Sequence, residues 1–262
     1  MKKYYIFLMI IILVVISLNT QATVKVEPSK IILYGEPGSR ATGTINVYNP
    51  TEVETEVWAI LQDWNLDENE SLLTFKAGET EVTLDGLIKF NPRHFKIKPG
   101  ELQVVRFTIK VPENIKKERR GIVFFEEKTE MIEDKTGARV VTQIGTTIYF
   151  MPSNAVSKFG IPFAEVHIAE NEEDENVGLV LAENAGDVHI RYKLSYKIIK
   201  ENGALITEGE LAEKLILPHK RQGIGFPFEK DLEPGKYKLL LSVSFKNSDI
   251  ITELSVPFEI KK

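Results

Sequence analysis

Apolar and polar residues alternate along most of this chain, which is the pattern of β-strands with one buried face. The run from Val53 to Leu61 alternates with glutamates and a tryptophan, and Val188 to Ile199 repeats the pattern over a longer stretch. Helical periodicity is sustained over about ten residues only near the N-terminus. The chain is therefore predicted to be all-β.

The most informative stretch for the fold is Phe95 to Glu127, FKIKPGELQVVRFTIKVPENIKKERRGIVFFEE. Pro99 and Gly100 predict a turn, and Leu102 to Ile109 predict a half-buried strand. Pro112 ends that strand, and the charged run Lys116 to Arg120 is predicted to keep the connection in water. A second strand comes next. Strand, exposed crossover and strand are typical of an immunoglobulin-like sandwich and favour a binding module over a catalyst.

The same pattern occurs twice, on either side of a linker predicted at Pro152 to Pro162. We predict two tandem immunoglobulin-like β-sandwich domains, residues 23–156 and 157–262. Asn202-Gly203 predicts a hairpin in the second domain. In the first domain, Trp58 or a near neighbour is predicted to be the large core aromatic. Residues Trp64 to Gly86 are predicted to form an irregular insertion with one hairpin.

Residues 1–22 have the pattern of a secretory signal peptide. Lys2 and Lys3 precede an apolar run, and Thr20-Gln21-Ala22 offers a cleavage site after Ala22. An uncleaved membrane anchor is the alternative, which the short apolar span disfavours. We predict an exported protein, periplasmic or secreted to the cell surface, with no stable membrane insertion after cleavage.

Charge and composition exclude several kinds of partner and chemistry. The mature chain would carry 31 basic and 38 acidic residues, a net charge of −7, which argues against nucleic acid as a partner. Cysteine is absent, so disulfides and thiol catalysis are excluded. The histidines are far apart and fit no zinc motif, and each is predicted at the surface or in a strand. We predict no catalytic residues, no metal site, no cofactor and no enzyme activity.

The stretch from Arg139 to Phe150 is long, β-prone and uncharged after its first residue. At a sheet edge it would offer unpaired N–H and C=O groups to another chain. One interpretation is strand addition to a partner. The other is an internal or covered strand, and the pattern alone leaves both open.

The order of these segments resembles the N-terminal domain of the periplasmic pilus chaperones (PapD-like) over residues 24–152. The most specific pieces are the PRHFKIKPG turn and the closing strand that ends in YFMP. The second domain resembles the family as another sandwich of similar length. The resemblance implies two immunoglobulin-like domains that bind pilus subunits, lend a strand to the subunit's fold and hold its C-terminal carboxylate with two basic residues.

Carried over residue by residue, the resemblance implies a client-binding site on two strands. The first basic position falls on Lys30, and the second falls on Thr147, where the charge is missing. The alternate residues of the donated strand fall on Val140, Thr142 and Ile144. This is a weaker apolar row than that of the family.

The predicted function is that of an exported, non-enzymatic chaperone-like protein whose client is a pilin-like or surface-protein subunit bound by β-strand addition. The alternative is a structural or adhesive cell-envelope protein that binds another envelope protein or a glycan.

Overall fold

β-Strands are the regular secondary structure of the computed structural model, which describes residues 24–127, 143–169, 175–228, 232–246 and 248–261. The predicted all-β fold of two β-sandwich domains is confirmed. The predicted signal peptide lies outside the described residues. No helix in the described ranges is long and apolar enough to cross a membrane.

Contacts within the chain divide it into two compact units. The first holds the described residues up to Ile115 together with Arg119–Ser153. The second holds Lys116–Glu118 and the described residues from Asn154 onward. The break after Ser153 falls inside the predicted linker, and the domain boundary between residues 156 and 157 stays a prediction.

The first unit is built from two sheets. Its strands are β1 (Lys25–Glu27), β2 (Lys30–Gly35), β3 (Arg40–Tyr48), β4 (Thr55–Leu66), β5 (Leu72–Lys76), β6 (Ile88–Asn91), β7 (His94–Ile97), β8 (Leu102–Lys110), β9 (Arg119–Glu127) and β10 (Gln143–Pro152). One sheet has the order β1-β3-β8-β6, and the other has the order β2-β10-β9-β4-β5, with β7 also paired to β4.

The core of this unit is formed by alternate residues from the facing sides of the two sheets, as the period of a strand requires. Its fully buried members include Ile45, Val47, Val57, Ala59, Val105, Phe107, Ile109, Val123, Phe125, Ile148 and Phe150. The core therefore draws on β3 and β8 of one sheet and on β4, β9 and β10 of the other.

The buried tryptophan of the first unit is Trp64, so the prediction for Trp58 is wrong. Val57 and Ala59 face the core, and the alternation of β4 therefore places Trp58 on the opposite face. There its ring stacks on His94, with centroids 4.5 Å apart. Trp64 is 2% exposed and packs edge-on against Tyr149.

The predicted insertion is more regular than expected, because β4 and β5 form its hairpin and a buried carboxylate fixes the loop after β5. Asp63 is fully buried. Its carboxylate accepts hydrogen bonds from the N–H groups of Gly78 and Thr80, at 3.1 and 2.9 Å. It also accepts from the hydroxyls of Thr80 and Thr83, at 3.1 and 2.6 Å. This loop delivers Leu84 into the core.

The second unit also consists of two sheets. Its strands are β11 (Phe159–His167), β12 (Asn176–Asn184), β13 (Ile190–Lys200), β14 (Leu205–Glu210), β15 (Lys214–Ile216), β16 (Lys220–Phe228), β17 (Gly235–Phe245) and β18 (Ser248–Ile260). The sheet orders are β11-β12-β16 and β14-β13-β17-β18, with β15 also paired to β13. Tyr192, Leu194, Phe226 and Leu239 are among the residues of its core.

A buried asparagine ends an equivalent strand in each unit. Asn49 follows β3 and Asn184 ends β12, and both are 0% exposed. Each side-chain amide donates to the carbonyl four residues later, at 2.8 Å in both units. Each also donates to a carbonyl of β7 or β15, at 2.9 and 3.2 Å. The repeated sequence pattern therefore corresponds to a repeated local structure.

The charged run that was predicted to lie in water is only partly exposed. Lys116 and Lys117 are exposed, but Glu118 and Arg120 are buried. Glu118 belongs to the second unit, where its carboxylate accepts from the His189 N–H at 2.8 Å and lies 2.6 Å from His189 Nδ1. His189 is 5% exposed and precedes β13, so the expectation of a surface or strand position is wrong for this histidine.

Candidate functional site

Strand β10 is the predicted binding strand, and the structure places most of it inside a sheet. It pairs antiparallel with β9 from Gln143 to Phe150. On its other side it pairs parallel with β2, in a register that begins at Thr147 opposite Lys30 and ends at Pro152. The C-terminal part of the strand is therefore covered on both sides.

Among the described strands, the N-terminal end of β10 has no ladder partner on the β2 side, although β1 lies near it. Thr146 and Thr147 are the first residues held there: the Thr146 hydroxyl donates to the Pro28 carbonyl at 2.8 Å, and the Thr147 N–H donates to the Ser29 carbonyl at 3.0 Å. Within the described residues, Gln143 to Gly145 pair with β9 alone. The free edge is thus a short segment at one end of the strand.

The direction of the backbone groups follows from the Thr147 contact. In a strand, the N–H and C=O of one residue point to the same side, and successive residues alternate. Since the Thr147 N–H points toward Ser29, the backbone groups of Gly145 and Gln143 point the same way, away from β9. Two residues therefore present hydrogen-bonding groups at this edge.

The side chains at the open end differ on the two faces of the sheet. Ile144 lies opposite Phe125, a fully buried core residue, so Ile144 projects from the core face and is half-buried. Gly145 lies opposite Phe124 on the outer face. A Cβ at Gly145 would lie 2.9 Å from the Phe124 ring, so glycine lets this ring lie over the strand.

Lys30 and Thr147, which are far apart in sequence, meet at the end of the open segment. They are direct partners in the β2–β10 register, and both are half-buried. The Thr147 hydroxyl donates to the Ser29 carbonyl at 3.3 Å, so this position supplies a hydroxyl where the resemblance implies a second cation. Lys30 thus lies beside the outward backbone groups of the open segment, and it also makes a contact within the protein.

Carboxylates lie on the other side of the same strand end. Gln143 is opposite Glu126, and its amide donates to Glu126 Oε2 at 3.2 Å. The neighbouring Glu127 accepts from the Val24 N–H. Both carboxylates thus have hydrogen-bond partners, and they lie on the side of the strand end opposite to Lys30.

An aromatic cluster supports β10 from its outer face. The Trp64 ring meets the Tyr149 ring edge-on, with centroids 5.8 Å apart, and the Arg120 guanidinium lies 5.0 Å from the Trp64 centroid. All three side chains are at most 5% exposed. Buried aromatic packing of this kind fixes the strand on which the open end is carried.

The structure brings together Lys30, Ile144 and Thr147 among the predicted client-binding residues. Val140 and Thr142 lie outside the described residues. Sequence reasoning missed the contributions of Gln143 and Gly145, since these are made by the backbone. The signal that could have found them is strand alternation counted from Thr147. No cluster of metal-ligating side chains occurs within the ranges that the structure describes.

Solved structures of fimbrial chaperones share the fold of this chain. The crystal structure of the class 5 fimbriae chaperone CfaA covers 92% of this chain and 100% of its own, with a TM-score of 0.50 and 16% identity. A chain of a solved chaperone–tip adhesin complex, described in connection with CFA/I fimbriae biogenesis, matches 91% of this chain over 98% of its own length, with a TM-score of 0.51 and 14% identity. The chain has the fold of the pilus chaperones.

The sequence is far from theirs, and the likeness concerns the fold alone. No protein-family model matches the chain, and no curated protein sequence matches it. The resemblance predicted from the sequence is therefore confirmed at the level of architecture, while the site must be argued from its own residues.

Proposed function

We propose that this protein is an exported, non-enzymatic chaperone-like protein that binds a pilin-like or surface-protein subunit by β-strand addition at the open end of β10. The observation that supports the proposal is that, among the described strands, Gln143 and Gly145 form ladder pairs with β9 alone. The proposed place of action is the periplasm or the cell surface, in line with the predicted signal peptide.

Strand addition needs a row of free main-chain groups and a rigid strand to carry them. The β9 ladder holds Gln143 to Phe150 from one side, and β2 holds the strand from Thr147 onward. A client strand would therefore dock beside Gln143 and Gly145, at the place where β1 approaches β10 without pairing to it. Its path would end at Ser29 and Lys30, where β2 begins to occupy the edge.

Lys30 lies at this end of the client path and already makes a contact within the protein, so a negatively charged client group would share or replace that contact. A C-terminal carboxylate is one group of suitable charge, and a contact sheltered from water would strengthen such a bond. Because Thr147 is uncharged, one cation would replace the pair that the resemblance implies. We therefore expect Lys30→Ala to weaken client binding by a modest factor.

The proposal is tested by capturing clients from the native periplasm with the tagged protein. Gln143→Pro removes an outward N–H while leaving the bonds between β10 and β9, because only the N–H groups of even-numbered residues point to β9. Gln143→Ala is the matched control: it loses the side-chain amide but keeps the N–H. We expect Gln143→Pro to lose a β-rich client that both wild type and Gln143→Ala retain.

Ile144→Asp adds a test of the side-chain contact. It places a charge on the apolar face of the open end, which a client groove should reject. Ile144 is half-buried opposite Phe125, so circular dichroism must confirm the fold of this variant. Client capture that is unchanged in both Gln143→Pro and folded Ile144→Asp would exclude strand addition at this edge. Capture of a glycan or of a non-β partner would favour an adhesive or structural role.

A further inference from the structure

A second open edge lies at β5, on the opposite border of the same sheet. Among the strands that the structure describes, β5 pairs with β4 alone, and each of its residues is exposed. Leu72, Leu73 and Phe75 are 50%, 43% and 37% exposed, so an edge strand of the sequence LLTFK carries apolar side chains on both faces. Such an edge is a template for pairing unless it is protected.

The hairpin geometry shows which groups of β5 are free. The Asp67 N–H donates to the Ser71 carbonyl at 3.0 Å, which makes these two residues a hydrogen-bonded pair. Alternate pairs along the ladder follow the same pattern, so Leu73 and Phe75 also direct their backbone groups toward β4. The groups of Leu72, Thr74 and Lys76 then point outward.

A turn closes one end of this edge. The Lys76 N–H donates to Glu79 Oε2 at 3.2 Å, and the Lys76 carbonyl accepts from the Glu79 N–H at 3.2 Å. These contacts confirm that the backbone of Lys76 faces away from β4, and they occupy it. Leu72 and Thr74 remain as the outward residues that a partner strand could reach.

We propose that β5 pairs with β5 of a second copy of this chain, forming a twofold antiparallel dimer. Placing Leu72 opposite Thr74 of the second copy, and Thr74 opposite its Leu72, would form about four main-chain hydrogen bonds. A register shifted to set Thr74 opposite itself would set Leu72 against the occupied Lys76. The Glu79 turn therefore disfavours that register. A register with Leu72 opposite itself would set Thr74 against Glu70, whose N–H already donates to the Asp67 carbonyl at 3.2 Å. The register with Leu72 opposite Thr74 avoids both conflicts.

Charge complementarity supports a second copy as the occupant. In the selected register Lys76 lies opposite the acidic turn of the second copy, which carries Asp67, Glu68 and Glu70. Glu70 also makes a contact within its own chain, so the complementarity rests on the turn as a whole. The twofold axis repeats this contact at the other end of the strand pair. Leu73 lies opposite Leu73 of the second copy at the axis, so the same pairing covers an apolar side chain.

Sedimentation equilibrium of residues 23–262, from micromolar concentration up to about 1 mM, tests the proposal. We expect a concentration-dependent dimer. Leu73→Lys, which sets two lysines face to face at the axis, should weaken it by more than about tenfold. Leu102→Lys is the matched control, because Leu102 is an exposed strand leucine of the other sheet, at 54% against 43% for Leu73. This variant should dimerise as wild type does.

Charge exchange tests the register with substitutions that do not threaten the fold. Lys76→Glu and Glu70→Lys should each weaken the dimer by about threefold to tenfold, and the double variant should restore it. A protein that stays monomeric, a dimer indifferent to Leu73→Lys, or single charge variants that match wild type would each overturn the proposal. Gln143→Pro should leave the dimer intact. Loss of the dimer in that variant would assign self-association to β10 and overturn pairing through β5.

Discussion

Replacing Asp63 by alanine should destabilise the first unit by about 3 kcal/mol, since hydrogen bonds to a charged group contribute about 1.5–3 kcal/mol each and the loop can recover part of them from water. The carboxylate is fully buried and accepts from two backbone N–H groups and two hydroxyls of the loop after β5. Without it, these donors lose their common acceptor. The same loop carries Leu84, which is 0% exposed and part of the core.

The effect can be measured on this unit alone. The chain has two tryptophans, and both Trp58 and Trp64 lie in β4, so the tryptophan fluorescence of a urea titration reports the first unit. A loss of about 3 kcal/mol should also lower its melting temperature by about 10 °C. Asp63→Asn keeps the volume but offers one acceptor oxygen in place of two, and we expect about half the loss.

Asp67→Ala is the matched control for a turn aspartate. Its Oδ1 accepts from the N–H groups of Asn69 and Ser71, both at 2.8 Å, but these bonds are exposed to water. We expect a loss below about 1 kcal/mol. If Asp63→Ala were as mild as Asp67→Ala, the loop would not be fixed by the buried carboxylate, and the reasoning would be wrong.

Three further predictions concern export, domain independence and acid stability. Mass spectrometry of the exported protein should find Thr23 at the N-terminus, and an intact Met1 would contradict cleavage. Fragments 23–156 and 157–262 should each unfold cooperatively, the second with reduced stability because it lacks Glu118; non-cooperative melting of both would refute two independent domains. Burial raises the pKa of Glu213, but the Arg191 hydrogen bond and the Lys246 charge outweigh it and hold that pKa below its ordinary value of 4.5. This stabilisation is present above the pKa of the unfolded state and is lost as pH falls through the pKa of the folded state. Glu213→Gln should therefore flatten the plot of melting temperature against pH below about pH 4.5. An unchanged plot would contradict the role of this ion cluster.

Strand positions could be predicted because side-chain alternation is written directly in the sequence. Asn176 to Asn184 alternate between buried and half-buried without a break, as a two-residue period requires. The same rule could have corrected the prediction for Trp58. Trp58 falls between Val57 and Ala59, which are the apolar members of the alternation, so its position in the two-residue period places it on the opposite face.

Burial of charged residues could not be predicted from local pattern. Glu118 and Arg120 stand in a run that looks solvated, and each is buried through groups distant in the chain. Glu118 meets His189, and Arg120 lies over Trp64. Such contacts depend on which strands become neighbours, and composition within a short window holds no information about that.

The site could be predicted only in part, because it too depends on which distant strands become neighbours. The uncharged sequence of β10 indicated an edge, but whether that edge was covered depended on pairing with β2, more than a hundred residues earlier in the chain. Each of the two interpretations, an edge strand and a covered strand, describes one part of β10. Residues from Thr147 onward are covered, and Gln143 to Gly145 are open among the residues described.

The two open edges of this sheet differ in what limits them, and the difference bears on what each could bind. At β5 the Glu79 turn occupies the backbone groups of Lys76, and charges of opposite sign flank the short segment that remains. This arrangement favours β5 of a second copy in antiparallel orientation. At β10 the described residues that form ladder pairs with β9 alone carry no charge, so the contact with the proposed client would rest on main-chain hydrogen bonds. Short free segments bounded in this way pair in few registers, and an edge with few registers is poorly suited to indiscriminate aggregation. We therefore expect substitutions at one edge to leave binding at the other unchanged.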